Sequence, residues 1–591
     1  MRSYIKDYPR PQFVRKSWRS LNGAWDFSFD DENRGESERW YRSFPKARRI
    51  EVPFAYETER SGIHDETVHG NVWYRRAFSV GKGELDGKDL MLRFEGSDYR
   101  TKVWVNGQYA GCHTGGYTRF SFRITDLVSP GGNEIVVKAE DSLEEQQPRG
   151  KQRWRRQNFG CWYVQTTGIW KTVWLEAVPK DHIESIKMTP DLSKKELRLT
   201  AAVSVGDLAG EYSLKAEVSY RDRTAAVQRA EVLDGRISLV LKVDSADIDE
   251  WGVKAWRPEN PDLYDLRLTL LRGEEKRDEV LSYFGMRDVR VSGGRFLLNG
   301  APLYQRLVLD QGYWKETGLT PPDEQALVDD IRAVLSMGYN GVRMHQKIED
   351  ERFLYWCDVL GLLVWSEAPA AYRFTDRSVR DFTAQWMEAV RQNYNHPSVI
   401  VWTPFNESWG IGEVKTDRTQ QHFTEAIYHL TKSFDKNRPV ITNDGWEHTV
   451  SDLLTLHDYE EDAEAFLKRY TEHEDGILSG RFSPAGSRMA FAGSFARRGL
   501  PVLISEFGGI AFDGSSGWGY GRKAANADEF LKRFSQITAA IQKVPYICGY
   551  CYTQLTDVQQ EVNGLLDENH RPKVDCGAVR AANRGDPDGA R

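Results

Sequence analysis

The chain lacks the features that mark several large protein classes. No apolar run approaches the length of a membrane-spanning helix. Residues Met1 to Pro9 hold no apolar stretch of the secretory kind, so the expected location is cytoplasmic. Cysteine is scarce: six in 591 residues, scattered at 112, 161, 357, 548, 551 and 576. Cys548 and Cys551 have the gap of a redox or zinc motif, but no second pair stands at ligand spacing and both fall in an apolar run. All six are therefore expected to be reduced, with no metal and no cofactor. Positive charge is not in excess. The net charge is −7 and the pI about 6.0, which argues against nucleic acid or an anionic membrane as partner. A homo-oligomer is left open.

Aromatic residues, in contrast, are plentiful, with 19 Trp and 26 Tyr. Sugars present apolar C–H faces that stack on rings, so the excess suits a carbohydrate partner, although most of these rings are expected to fill cores. At roughly 150 residues per domain the length implies three or four domains.

Residues 1–179 alternate like antiparallel β-structure, as in Trp73–Val80 and Leu90–Phe94, with hairpin signals at Asn106-Gly107 and Ser129-Pro130-Gly131-Gly132. Short strands and frequent turns predict a β-sandwich of jelly-roll type. Residues 180–286 continue the alternation, as in Leu197–Val203 and Leu266–Leu270, over a length that suits one immunoglobulin-like sandwich. From 287 the pattern becomes strand–helix alternation. Leu327, Ile331, Val334 and Leu335 share one helical face, as do Phe530, Phe534, Ile537 and Ile541. Apolar strands end at Asp310, His345, Glu367, Glu407, Asn443, His457, Glu506 and Tyr552, which predicts a (β/α)8 TIM barrel over 287–575. The Gly-, Asp- and Arg-rich residues 576–591 are expected to be disordered.

The carboxyl ends of barrel strands converge on one mouth. Two of them deliver glutamates in unusual company: Thr403-Pro404-Phe405-Asn406-Glu407-Ser408-Trp409 and Ile504-Ser505-Glu506-Phe507-Gly508-Gly509. Glycosidic cleavage needs an acid for the leaving oxygen and a carboxylate for the anomeric carbon. Glu407 is the candidate acid and base, Glu506 the candidate nucleophile, and Asn406 the candidate partner of the sugar 2-hydroxyl. One such Glu alone is more often a strand-end ion pair. Two, on the fourth and seventh strands of a legible barrel, point to catalysis. His345, Asp310, Glu367, Asn443, His457, Tyr459 and Tyr552 are expected to form a polar rim, and Trp409, Trp446 and Trp518 are candidate sugar platforms. A lone histidine such as His345 is as often a satisfied core residue. Arg343, deeper in the barrel, is placed to hold Glu506 ionised.

With those residues in hand, the chain resembles glycoside hydrolase family 2, the family of β-galactosidases, β-glucuronidases and β-mannosidases. Leu21–Trp25, Val103–Gly107, Thr167–Leu175 and Arg257–Tyr264 resemble its sandwich and immunoglobulin-like segments, and Asn406-Glu407 with Ser505-Glu506-Phe507-Gly508-Gly509 resemble its two catalytic motifs. The resemblance implies the same roles for Glu407, Glu506 and Asn406, and likens His345 and Tyr459 to the family's histidine of strand two and tyrosine near the nucleophile. It implies a retaining exo-glycosidase acting on a small carbohydrate or glycoside. Two departures bear on the sugar. The eighth strand, Gly549 to Gln554, lacks the tryptophan of well-known β-galactosidases and β-glucuronidases. The Asn-x-Lys signature of β-glucuronidases is absent near Glu561-Val562-Asn563-Gly564. A β-galactoside is the leading expectation, with an α-L-arabinoside or a uronide as alternatives and a non-catalytic carbohydrate-binding protein as a distant one. Lys347, two residues after His345, and arginines that the sequence does not place are the cations that could favour a uronide.

Overall fold

The computed structural model describes residues 4–585 apart from 208–209, 246–247, 249, 251, 483, 485, 487 and 497–498. The first unit is a sandwich of two antiparallel sheets. One holds Trp18–Ser20, Val173–Pro179, Lys88–Phe94 and Phe120–Arg123; the other is six-stranded and centres on Asn71–Val80 and Gly131–Glu140. Alternate residues such as Trp25, Tyr74, Leu92 and Val137 meet in its core. The Asn106-Gly107 hairpin pairs Val105 with Gln108 and has positive φ at both loop residues (50° and 74°). That is the turn whose twist matches its strands, and glycine meets the second requirement without strain. The next unit packs a three-stranded sheet (His182–Asp191, Glu196–Ser204, Arg236–Lys242) on a four-stranded one, with Leu199, Leu214 and Leu268 in its core.

The barrel strands are β1 (Gln305–Asp310), β2 (Gly341–Met344), β3 (Leu363–Glu367), β4 (Val399–Thr403), β5 (Asn443–Asp444), β6 (Leu454–His457), β7 (Val502–Gly508) and β8 (Ile547–Thr553). All their pairings are parallel. β4-β3-β2-β1-β8-β7-β6 form one sheet, and β5 pairs with Phe405–Asn406 just beyond β4. Inward residues of successive strands, among them Leu307, Leu309, Trp365, Val401, Leu503 and Cys551, fill the interior, and Phe296 and Leu298 pack with the same cluster. Outward residues pack on the helices: Val308 belongs with Leu327 and Ile331 of the helix Glu324–Ser336, and Tyr552 with Phe530 and Phe534 of Ala527–Lys543.

Residues 576–584 depart from the expected disorder. Cys576–Arg584 is a helix, started by Asp575, whose side chain accepts from Ala578 N, and stopped by Gly585 at φ 72°. Val579 is buried, and Asn583 is buried where it bonds Tyr550 and the Met337 carbonyl. The composition suggested a tail, but a cap at each end and one apolar contact suffice to dock a short helix. Residues 586–591 lie outside the described residues. Among the described residues, no helix is long and apolar enough to cross a membrane.

Candidate active site

Glu407 and Glu506 are brought to one place from 99 residues apart. Glu407 follows the short pair with β5, and both it and Ser408 have left-handed backbone (φ 52° and 59°). Such a conformation costs about 1–2 kcal/mol per non-glycine residue and persists only where surroundings enforce it. Here they do: Glu407 N donates to Asp444 O, and Ser408 N to the Asn443 side chain. The bend turns the Glu407 carboxyl into the mouth. Glu506 gets there differently. Strict alternation from inward Leu503 would point it outward, but the register shifts between Ile504 and Phe507. The irregularity leaves Phe507 outward, in the outer cluster, and Glu506 inward. Bulges that re-aim a side chain are common beside active sites.

Arg343 of β2 is the hub beneath both. Fully buried, it donates to Glu367 (2.8 Å), to Glu506 (2.7 Å) and to the Asn406 oxygen (2.7 Å), and pairs with Asp444 at 3.0 Å. Its contact with Glu506 is the one anticipated in the sequence. Tyr459 OH also donates to Glu506, and its ring stacks on Tyr520 at 3.5 Å. His457 lies between the carboxylates: Nδ1 is 2.7 Å from Glu407 and 3.5 Å from Glu506, and Nε2 is 3.0 Å from Asp444.

The charges follow from this packing. Burial works against a cationic His457, but Glu506, Asp444 and Glu407 together push it up to about 10. Burial would raise the Glu407 carboxyl, but the His457 bond and charge, with Lys151 and Arg343 further off, hold it below the ordinary range. Asp444 is likewise held low, against burial, by Arg343 and His457. Burial pushes Glu367 up to about 8, with Asp444 and Glu506 adding to it against Arg343. His345 is held neutral by burial and by the charge of Arg343. Glu407, His457 and Glu506 bring donor atoms within 4.8 Å of one another, the spacing a metal would need. Each His457 nitrogen, however, faces a carboxylate, which is the pattern of an imidazolium rather than of a neutral metal ligand.

The expected rim divides. Asn406 gives its oxygen to Arg343, so its amino group is uncommitted among the described residues. His345 lies 3.2 Å from Glu367, and both are buried under the site rather than on a rim. Asn443 is a brace, bonded to Ser408 and the Trp446 carbonyl. Trp446 lines, with Glu407, His457, Tyr459, Arg469 and Tyr520, a cavity of about 510 Å³, within the size range of about 300–1,000 Å³ usual for ligand sites. Trp409 packs edge-on against Trp162 and Tyr372, a wall shared with the N-terminal sandwich. Trp518 is tied to that sandwich through Gly160 O. Asp310 and Tyr552 are corrections. Asp310 shares the outward face of β1 with Val308, accepts from Gly312 N and feels Asp330 of the outer helix. Tyr552 packs outward on Phe507 and Phe534. Period two puts each on the wrong side of its strand for the mouth. Lys347 is also out of play, paired with Glu349 and donating to two carbonyls.

The sequence reading missed what the N-terminal sandwich contributes. Its segment 149–164 crosses onto the barrel. Arg149 N and Gly150 N donate to Ala370 O, Tyr372 OH donates to Gly150 O, and Gln560 donates to Gly160 and Trp162 carbonyls. The available signal was length: 141–167 is a long connection between the strands Gly131–Glu140 and Gly168–Ile169, and long ordered loops are usually functional.

Comparison with known proteins agrees with this architecture. Residues 18–179 match "Glycosyl hydrolases family 2, sugar binding domain", 181–287 match "Glycosyl hydrolases family 2", and 289–509 match "Glycosyl hydrolases family 2, TIM barrel domain". A putative β-glucuronidase of Formosa agariphila is 30% identical over 378 residues, covering 62% of this chain and 44% of that protein. A β-galactosidase of Leuconostoc mesenteroides is 26% identical over 485 residues, 75% of this chain and 44% of its own length. The chain thus spans less than half the length of these curated relatives. Among solved structures, the fold matches a β-glucuronidase from Bifidobacterium dentium complexed with coumarin-3-O-glucuronide (TM-score 0.81, 19% identity, 98% of each chain). It also matches the apo β-glucuronidase from Ruminococcus gnavus (TM-score 0.78, 18% identity, 98% of this chain and 99% of that one). With the three models following one another from residue 18 to residue 509 in the order of its sandwich, immunoglobulin-like unit and barrel, the chain belongs to glycoside hydrolase family 2.

Proposed function

We propose that the protein is a retaining exo-glycosidase of β-galactosidase type, working by double displacement. Glu506 attacks the anomeric carbon. Glu407 protonates the leaving oxygen and then, as a base, activates the water that releases the sugar. Asn406 holds the 2-hydroxyl through its free amino group. Arg343 and Tyr459 both donate to Glu506 and keep it aimed. The observation that carries this reading is the closeness of the two carboxyl groups, one oxygen of each lying within 4.8 Å of the other beside His457. Retaining enzymes space their carboxyl groups at about 5–5.5 Å, and inverting ones at about 6.5–9.5 Å to admit a water.

The test is a panel of p-nitrophenyl glycosides, followed by NMR of the first-formed product. A β-galactoside is expected to release p-nitrophenol, and the sugar should appear first as the β-anomer. First appearance of the α-anomer would overturn the double displacement. Binding of sugar without release from any member would leave a carbohydrate-binding protein on an enzyme scaffold.

A further inference from the structure

Lys151 belongs to the N-terminal sandwich, yet its charge acts on the barrel's groups Glu407, Glu506, Glu561 and His345. It is 7% exposed. Among the described residues its ammonium has no carboxylate within 4 Å and no bond to an oxygen; its hydrogen-bonding neighbour is the thiol of Cys161, a weak acceptor. The rings of Trp162 and Tyr163 lie 5.8 and 5.9 Å away. The other cations of the mouth are engaged: Arg343 with three carboxylates and Arg469 with Asp458 and Glu460. A buried ammonium short of acceptors is costly unless a partner arrives.

The neighbouring groups indicate which partner. Glu561 accepts from Tyr163 OH (2.6 Å) and from Asn563 Nδ2 (3.2 Å). The second contact fixes the orientation of the Asn563 amide and leaves Oδ1 a buried acceptor without a donor. The groups around Glu561 are therefore a donor, Lys151, whose hydrogen-bonding neighbour is a weakly accepting thiol, and an acceptor, Asn563 Oδ1, that lacks a donor. A sugar hydroxyl both donates and accepts, so a hydroxylated ring satisfies both. A carboxylate could serve Lys151 only, and would face Glu561 and Glu506.

Lys151 is also held in place. Gly150 before it has φ 63°, and a Cβ there would lie 2.4 Å from Gln346 O, so only glycine lets the strap pass this close to the barrel. Burial opposes the charge of Lys151, but Cys161 first, and then Glu561 and Glu506, keep its pKa above the ordinary value. Its charge is thus balanced at a distance; what it lacks is an acceptor at contact.

We propose that Lys151, delivered by the N-terminal sandwich, is a specificity-determining residue that donates to a hydroxyl of a neutral glycone in a subsite it forms with Asn563 beside Glu506. This rests on the glycosidase reading above. The test pairs Lys151→Met with monodeoxy p-nitrophenyl β-galactosides. Loss of one charged hydrogen bond predicts a fall in kcat/KM of about 10- to 100-fold for Lys151→Met on the parent galactoside. The wild-type enzyme should lose a similar factor on the one deoxy sugar that lacks the contacted hydroxyl, and Lys151→Met should no longer distinguish that sugar from the parent. The wild-type deoxy series reads the contact even if the variant folds poorly. Equal ratios for the two proteins across the series overturn the proposal, as does a Lys151→Met loss confined to uronides. A wild-type protein inert on every glycoside sinks the glycosidase reading and this one with it; an active enzyme indifferent to Lys151→Met sinks this one alone.

Discussion

His457 holds Glu407 at 2.7 Å through the same nitrogen that lies 3.5 Å from Glu506, while its other nitrogen rests on Asp444. One imidazole therefore touches the candidate acid and faces the candidate nucleophile. His457 is raised and Glu407 lowered across this bond, so the proton that Glu407 needs as an acid stands on its partner and the pair titrates as a unit.

That unit sets a pH dependence. The folded-state pKa of His457 is raised to about 10 from an ordinary ~6.5. A raised histidine is protonated, and stabilising, below the lower value and loses both as pH rises through the higher one. In His457→Asn the proton must be held by Glu407 alone. The alkaline limb of kcat/KM against pH is expected to move down by more than about one unit, and the stability margin of wild type over the variant should be greatest below pH ~6.5 and vanish above about 10. Superimposable pH–rate profiles would count against the coupled titration.

Glu506→Ala should abolish turnover, by about a thousandfold or more, without unfolding the protein. Arg343 loses one partner but keeps Glu367, Asp444 and Asn406, so no unpaired charge is left in the core. Azide can occupy the space left by the carboxyl and attack from the same face, giving the α-glycosyl azide. Wild-type-like rates in this variant, measured beside a circular-dichroism melt, end the assignment of Glu506 as nucleophile.

Glu407→Gln should discriminate by leaving group. A dinitrophenyl leaving group departs without protonation, so its glycosylation step survives while alkyl glycosides fail. Burst kinetics with the dinitrophenyl substrate read that step directly. Equal losses for both substrates would make Glu407 a structural residue.

The division between what the sequence revealed and what it did not has a physical origin. The barrel and its two glutamates were readable because apolar runs ending on charge are a local pattern. Which face a strand-end residue takes is less local. Asp310 and Tyr552 sit at ends that looked equivalent to Glu506, yet alternation sends them to the helices, while an irregularity after Ile504 turns Glu506 inward. A run of letters does not show a bulge. Arg343 was legible as a partner of Glu506 by its depth in the barrel, whereas its simultaneous hold on Glu367, Asp444 and Asn406 is a property of closure. Lys151 could not be assigned to the mouth at all, because its placement depends on how one domain packs on another.

The last prediction concerns charge on the sugar. The sequence offered Lys347, with arginines it does not place, as cations that could favour a uronide. Lys347 is spent on Glu349 and two carbonyls, which removes that route, and Lys151 supplies a cation in its place. The balance still favours a neutral ring. Glu407 and Asp444 are held ionised next to the Glu506 carboxyl, Glu561 stands beside Lys151, and Arg343 and His457 are already divided among these acidic groups. A uronate would share one ammonium with Glu561 and leave the Asn563 oxygen unsatisfied. A buried carboxylate so poorly matched costs several kcal/mol. Neutral β-galactosides or α-L-arabinosides are therefore expected to exceed the matching uronide by at least roughly tenfold in kcat/KM, about 1.4 kcal/mol of transition-state binding. The measurement is kcat/KM for the p-nitrophenyl β-galactoside, α-L-arabinoside, β-galacturonide and β-glucuronide side by side at pH 7. A uronide in first place would show that Lys151 outweighs the carboxylates around it, and Lys151→Met should then abolish that preference.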